Sequence, residues 1–201
     1  MDTDVGTDDE TPPVVTIRGD KVALGPWQQG ILPLLLQWYN DLAVGLLSGE
    51  PPRPMSAERV EAIYEQFSKD EQEDSAHFLI YDAAARRPIG WAGLTDIDHV
   101  HRIADYHITI GARDCWGKGY GTETTILVLD YAFNVLGLHN VMLDVLGYNE
   151  RAIRAYRRAG FKEIGRRRAS HRAGSRVYDD IFMDCLSTEF QSPFPPVLEL
   201  P

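Results

Sequence analysis

Cysteine is scarce: Cys115 and Cys185 are the only two in 201 residues. Two thiols give no disulfide framework, which excludes a small cross-linked secreted module and predicts a reducing, cytoplasmic setting. No apolar run is long enough to span a bilayer, so no membrane role is expected. No basic-then-apolar signal segment opens the chain; Asp2, Asp4, Asp8, Asp9 and Glu10 crowd its start instead. Positive charge is in deficit, with 20 Lys and Arg against 30 Asp and Glu, a formal net charge of −10. That balance argues against nucleic acid as the main partner and is mildly compatible with a cationic amine. Internal repeats are absent. Asp96, Asp98, His99 and His101 have metal-ligand chemistry but no metal-site spacing, so no metal is expected.

Hydrophobic residues make up 44% of the chain and charged residues 25%, ordinary for one globular domain with a real core. Residues 1–13 read as an acidic disordered leader ending in Pro12-Pro13, 14–190 as the folded domain, and 191–201 as a Pro-rich tail. Val14 to Leu24 alternates as a first strand broken at Gly19-Asp20. Trp27 to Leu47 reads as helical, with a break or restart near Pro33. A loop follows at 48–54, then a helix capped by Ser56 and carrying Val60, Ile63, Tyr64 and Phe67. His77–Tyr81 and Ile89–Ile97 form an expected hairpin, and Asp105–Ile110 a strand. A helix is predicted over 120–136, closed by Gly137, and a buried strand over 141–146. Asn149 caps a further helix ended by Gly160. Phe161–Ala169 and Arg176–Leu186 read as a final antiparallel pair. Strands first, then strand–helix–strand–helix–strand, indicate one mixed α/β sheet.

The chain is organised around Cys115–Phe133. Tyr106, Ile108 and Ile110 alternate into it, Gly117, Gly119 and Gly121 occupy every second position, and Ile126, Leu129, Phe133 and Leu136 recur at helical spacing. Strand, glycine turn and helix start form an anion-binding arrangement. The glycines permit a tight turn and close approach, and the first helical turn leaves N–H groups unpaired at the positive end of the dipole. A diphosphate suits it. No Gly-Lys-Ser/Thr closes the turn, and Gly-x-Gly-x-Gly is not the dinucleotide spacing. By itself the run is also compatible with a flexible turn before a core helix.

A second motif, Tyr148-Asn149-Glu150-Arg151-Ala152-Ile153-Arg154-Ala155-Tyr156 through Gly160-Phe161, follows about thirty residues later. Together the two resemble the acyl-CoA-binding motifs of the GNAT superfamily, and more narrowly the branch of ribosomal-protein N-terminal and spermidine acetyltransferases. Trp116 departs from the wider superfamily, where Gln or Arg is usual, but suits this branch. The resemblance covers about residues 14 to 190. It implies a single-domain, mostly antiparallel sheet splayed at the cofactor site and flanked by helices. It also implies an acetyl-CoA-dependent N-acetyltransferase acting on a primary amine, such as a polyamine, an antibiotic, another small cationic metabolite or a protein N-terminus. A homodimer is a family-level expectation.

On this resemblance the cofactor is held by Trp116, Gly117, Lys118, Gly119, Tyr120, Gly121 and Thr122, by the strand edge Ile108, Thr109 and Ile110, and by Asn149. Tyr156 is the expected general acid. Asp105 and His107, on one strand face with Thr109, are the candidates for accepting the amine proton. Trp38, Tyr39 and Asp41, with Glu50, suggest a partly aromatic, partly acidic acceptor pocket. Arg151, Arg154 and Arg158 share a helix side roughly opposite Tyr156 and either meet a phosphate or form a solvated face. A longer acyl-CoA, or a non-catalytic acyl-CoA-binding module, are the alternatives.

Overall fold

The computed structural model describes residues 13–49, 53–68 and 74–197. Strands β2 (Val22–Gly25) and β3 (Ala76–Asp82) bury nearly every side chain, on both faces. Only a sheet covered on both sides can hold such strands. Alternate residues accordingly split between two cores. Val22, Leu24, Phe78 and Ile80 join one core, and Ala23, Leu79 and Tyr81 join the other.

The sheet has eight strands in the order β1-β2-β3-β4-β5-β6-β8-β7. The remaining strands are β1 (Ile17–Arg18), β4 (Pro88–Asp98), β5 (Ile103–Ile110), β6 (Asn140–Leu146), β7 (Lys162–Ala173) and β8 (Arg176–Leu186). Every neighbouring pair is antiparallel except β5 with β6. On one face lie α4 (Tyr120–Asp130) and α5 (Glu150–Ala159). Over the other face lie α1 (Leu32–Tyr39) and α3 (Ala57–Ser68), whose Leu35, Trp38 and Val60 enclose Trp91 and Tyr81. The expected mixed, mostly antiparallel sheet is thus present.

The local differences have physical causes. The expected restart near Pro33 is present: a 3₁₀ turn at Gln29–Ile31 gives way to α1 at Leu32, and Pro33 sits in the opening turn, where a missing N–H costs nothing. A further break, not expected, falls at Asn40-Asp41, where Asp41 accepts the Ala43 N–H and starts α2 (Leu42–Ser48). The central helix is not uniform to residue 136: it passes into a π-turn at Tyr131–Val135, closed by Leu136 N–H to the Tyr131 carbonyl at 3.1 Å. β7 runs past its expected end at Ala169 to Ala173. Its arginine-rich, largely exposed stretch carries no alternating pattern, and a bulge near Ala169 (φ 53°) shifts its register.

Residues 1–12 and 198–201, most of the expected leader and part of the tail, lie outside the described residues, as does Glu50. The first part of the tail packs down: Phe194 and Val197, like Phe190 just before it, pack against the core beside α4, and Val197 donates its N–H to buried Asp130 at 2.5 Å. No single helix among the described residues is long and apolar enough to cross a membrane.

Candidate active site

β5 is paired along its length on one side only. With β4 it runs from Asp98↔Ile103 to Gly90↔Ile110. With β6 it pairs only from Ile103↔Asn140 to Asp105↔Met142. Beyond that point β6 continues to Leu146, following β8. The two strands part, and Tyr106 to Ile110 face a cleft with no strand beside them. A cavity of about 1130 Å³ fills the gap and reaches α2, the glycine loop and α5.

The loop at its edge is shaped for an anion. Gly117 and Gly119 hold φ of 75° and 92°, which only glycine adopts without strain. From Gly117 to Thr122, no backbone N–H finds a hydrogen-bond partner among the described residues, and α4 begins there without a side-chain cap. These donors and the N-terminal dipole fit a diphosphate.

The loop is also fixed from behind. The Tyr120 hydroxyl donates to Asp82 Oδ2 at 2.8 Å, which pushes its own pKa up to about 12. Lys21 Nζ donates to the Lys118 carbonyl at 3.1 Å. Glu123, in the first turn of α4, is buried; its Oε1 accepts the N–H groups of Lys21 and Val22 at 2.6 and 3.1 Å.

Tyr156 projects from α5 into the cleft wall and is 8% exposed. Tyr106 and Phe161 pack around its ring at centroid distances of 6.3 and 5.9 Å. Its hydroxyl has no hydrogen bond among the described residues. Burial, and secondarily the Asp144 carboxylate, push its pKa well up, so it keeps its proton at neutral pH.

Asp105 and His107 share the opposite face of β5. Asp105 sits at the last paired step before the strands part. Burial, then Asp96 and Asp144, raise its pKa, which makes it a stronger proton acceptor than a free carboxylate. His107 lines the cavity with Phe67, and His77 lies beside it at 5.5 Å between rings. Burial, then His77, drive its pKa down to about 4, so it is neutral at pH 7. Its Nε2 is buried with no hydrogen bond among the described residues.

An acetyltransferase (GNAT) domain model matches residues 21–162. The chain belongs to the GNAT family. Spermidine N(1)-acetyltransferase of Vibrio cholerae is 31% identical over 108 residues, 54% of this chain and 62% of the relative. That of Escherichia coli K12 is 38% identical over 94 residues, 43% of this chain and 50% of the relative. The chain therefore matches less than two thirds of either curated relative. The crystal structure of Vibrio cholerae spermidine N-acetyltransferase in complex with CoA and spermine superposes with a TM-score of 0.75 at 26% identity. It covers 85% of this chain and 98% of its own.

Within this GNAT fold, Ile108, Thr109, Ile110, Trp116, Gly117, Gly119, Tyr120, Gly121, Thr122, Asn149 and Tyr156 all line the one cavity, as do Trp38, Tyr39 and Asp41. Asp105 and Lys118 do not. Lys118 is exposed, and its carbonyl serves as an acceptor for Lys21.

Several side chains already have protein partners. Trp116 Nε1 donates to the Ile110 carbonyl at 2.7 Å. Asn149 caps α5 by accepting from Ala152 N–H at 3.2 Å, and its Nδ2 donates to the Leu47 carbonyl at 3.0 Å. Asp41 caps α2 and pairs with Arg113 Nη1 at 3.6 Å. Asp144 on β6 and Asp180 on β8 line the cavity as well. Arg151, Arg154 and Arg158, expected opposite Tyr156, line the same cavity because it wraps around the flank of α5.

Sequence reasoning missed Lys21 and Glu123. The one available signal was an acidic residue in the first turn of the glycine-led helix.

Proposed function

We propose that this protein transfers the acetyl group of acetyl-CoA to a primary amine of a small cationic molecule, by direct attack. The observation that carries this reading is the split between β5 and β6 beside the loop amides of Gly117 to Thr122, which have no hydrogen-bond partner among the described residues. The amides receive the diphosphate. The free edge Ile108–Ile110 receives the pantetheine arm as a strand would, with a backbone N–H for the developing oxyanion. Bound there, the cofactor supplies an acetyl group activated as a thioester.

This chain's residues then handle protons. Tyr156, protonated and buried in the cleft, donates to the departing thiolate. Asp105 or His107, on the acceptor face, takes the proton lost by the amine, directly or through water. An alkylammonium ion has a pKa near ~10, so neutral amine must be selected or made at the site. The cationic acceptor is supported by Asp144 and Asp180 in the cavity wall, where His171 Nδ1 stands 4.0 Å from Asp180 Oδ1, and by the spermidine acetyltransferases among its relatives. Two buried free cysteines fit a reducing, cytoplasmic compartment.

The test is thiol release from acetyl-CoA across a panel holding spermidine, spermine, an aminoglycoside and a peptide with a free N-terminus. Release with the polyamines, and a product heavier by one acetyl group, is the expected result. Tight CoA binding with no release for any amine would leave only a binding module.

A further inference from the structure

Thr109, on the free edge of β5, has Trp91 of β4 as its partner on the other side. Residues directly opposite in an antiparallel pair put their side chains on one face, with Cβ atoms ~5 Å apart. The Trp91 indole therefore stands beside the edge Ile108–Ile110, on the face that Asp105 and His107 share.

Further rings gather at this wall. Trp38 of α1 stacks on Trp91 at 6.1 Å between centroids, and Tyr39 meets it at 5.3 Å. Phe67 of α3 lies 6.5 Å from the His107 ring at an interplanar angle of 23°. His107 lies close over β4 because its partner there is Gly93, where a Cβ would be 2.8 Å from its Cε1. Trp38, Tyr39, Phe67, Trp91 and His107 all line the cavity, and Tyr39 and Phe67 are only half-buried.

Charge divides this cavity. Past the point where β5 and β6 part, it is lined by Asp144, which is exposed and has no ion pair or hydrogen bond among the described residues. The ring-lined wall has no such acid. His107 is neutral at pH 7, and the Asp41 carboxylate is taken up by its helix cap and by Arg113. Arg59, on the same helix as Phe67, lines the cavity with no carboxylate partner among the described residues. Aromatic faces can hold a cation, but an unpaired guanidinium opposes a second positive charge there. A flat neutral ring meets no such penalty and packs offset or edge-on against the rings present.

We propose that the ring-lined wall is a subsite for an aromatic group on the acceptor: the substrate is a primary amine carried on an aromatic ring by a short alkyl chain. The ring packs among Trp91, Tyr39 and Phe67, and the ammonium is drawn in by Asp144 before it loses its proton. The chain is short because Trp91 is the direct neighbour of Thr109 at the reacting edge. This rests on the acetyl-transfer reading above and adds to it what carries the amine.

Steady-state thiol release from acetyl-CoA tests this with phenethylamine, n-propylamine and spermidine as acceptors. In the wild type, kcat/KM for phenethylamine should exceed that for n-propylamine at least ~10-fold, the usual scale for filling an apolar subsite. Tyr39→Leu and Phe67→Leu should each reduce that ratio by ~3-fold or more, through KM for phenethylamine, because each removes one ring contact. An unchanged ratio in both variants overturns the proposal. So does a wild-type protein that acetylates spermidine but handles phenethylamine no better than n-propylamine, a result that leaves the acetyl-transfer reading standing and needs no variant to fold. No thiol release with any amine would instead overturn the acetyl-transfer reading, and this subsite with it.

Discussion

Glu123 Oε1 accepts the Lys21 backbone N–H at 2.6 Å, joining the first turn of the central helix to the β1–β2 turn 102 residues earlier in the chain. The same oxygen takes the Val22 N–H at 3.1 Å, and a Cβ on Gly19 would lie only 2.4 Å from it. The turn is moulded around this carboxylate, and the turn in turn carries Lys21 Nζ to the phosphate loop. Glu123→Ala strands two amides, each worth ~1–3 kcal/mol when left without a partner. We expect about 2 kcal/mol or more of lost stability and a raised KM for acetyl-CoA. Glu123→Gln keeps an acceptor oxygen and should lose much less in thermal unfolding. Equal losses for Gln and Ala would show that charge, not the hydrogen bonds, holds the turn.

Tyr156→Phe removes a hydroxyl that has no hydrogen bond among the described residues and keeps the ring that packs on Tyr106 and Phe161. The fold and CoA binding should therefore be unchanged, while turnover falls at least ~10-fold for loss of a general acid. Because burial raises the Tyr156 pKa, the wild-type rate should show no loss from its ionisation up to about pH 10. Unchanged turnover in the variant would remove Tyr156 from the chemistry.

Much of this site was legible in the sequence, because its parts are local. Glycines at alternate positions before a buried helix announce a turn with positive φ and free amides. Asn149 and Tyr156 declare a helix cap and a shared helix face by spacing alone. What was not legible is what depends on strand neighbours. Asp144 and Asp180 meet in one cavity because β8 lies next to β6, and nothing in either strand says so. Lys21 with Glu123, and Asn149 with Leu47, are bonds across about a hundred residues that leave no periodic mark. Asp41 lines the cavity as composition suggested, and what spacing did not announce is that its carboxylate also caps α2 and pairs with Arg113.

His107 gives the fold a pH signature. Its pKa in the folded protein is about 4, against 6.5 for a free imidazole. Between those values the unfolded chain binds more protons than the folded one, so stability falls as pH drops through the window and is full above pH 6.5. The loss reaches up to about 3 kcal/mol by pH 4. Melting temperatures of the wild type and His107→Gln, compared from pH 7 to pH 4, should converge as the pH falls. Parallel curves would mean that His107 titrates normally.

Asp105 has its pKa raised, first by burial and then by Asp96 and Asp144. If it receives the amine proton, activity requires its ionised form and falls as pH drops through that raised pKa. Asp105→Asn should then lower kcat/KM for the amine at least ~10-fold and flatten the acid limb of the pH–rate profile. A normal acid limb in Asp105→Asn would pass the role to His107 or to water.

Gly111 tests the acceptor wall by shape alone. It follows β5, and Trp38 lies flat against it: a Cβ there would come within 2.2 Å of Trp38 Cδ2 and 2.3 Å of Cγ. Trp38 is 5% exposed and stacks on Trp91 with ring centroids 6.1 Å apart, and Tyr39 meets the same Trp91 at 5.3 Å. Gly111→Ala must therefore push Trp38 off Trp91 or bend the backbone, at a cost of about 1–3 kcal/mol typical of overpacking. If these rings, which line the cavity, form its acceptor side, KM for the amine should rise more than KM for acetyl-CoA. The melting temperature should fall by roughly 3–10 °C. Replacing Trp38 by Leu in the same protein makes room for the new methyl, so the double variant should lose less than the two single losses added together. Simple additivity would mean that the methyl is accommodated elsewhere and that Trp38 does not set the shape of this wall.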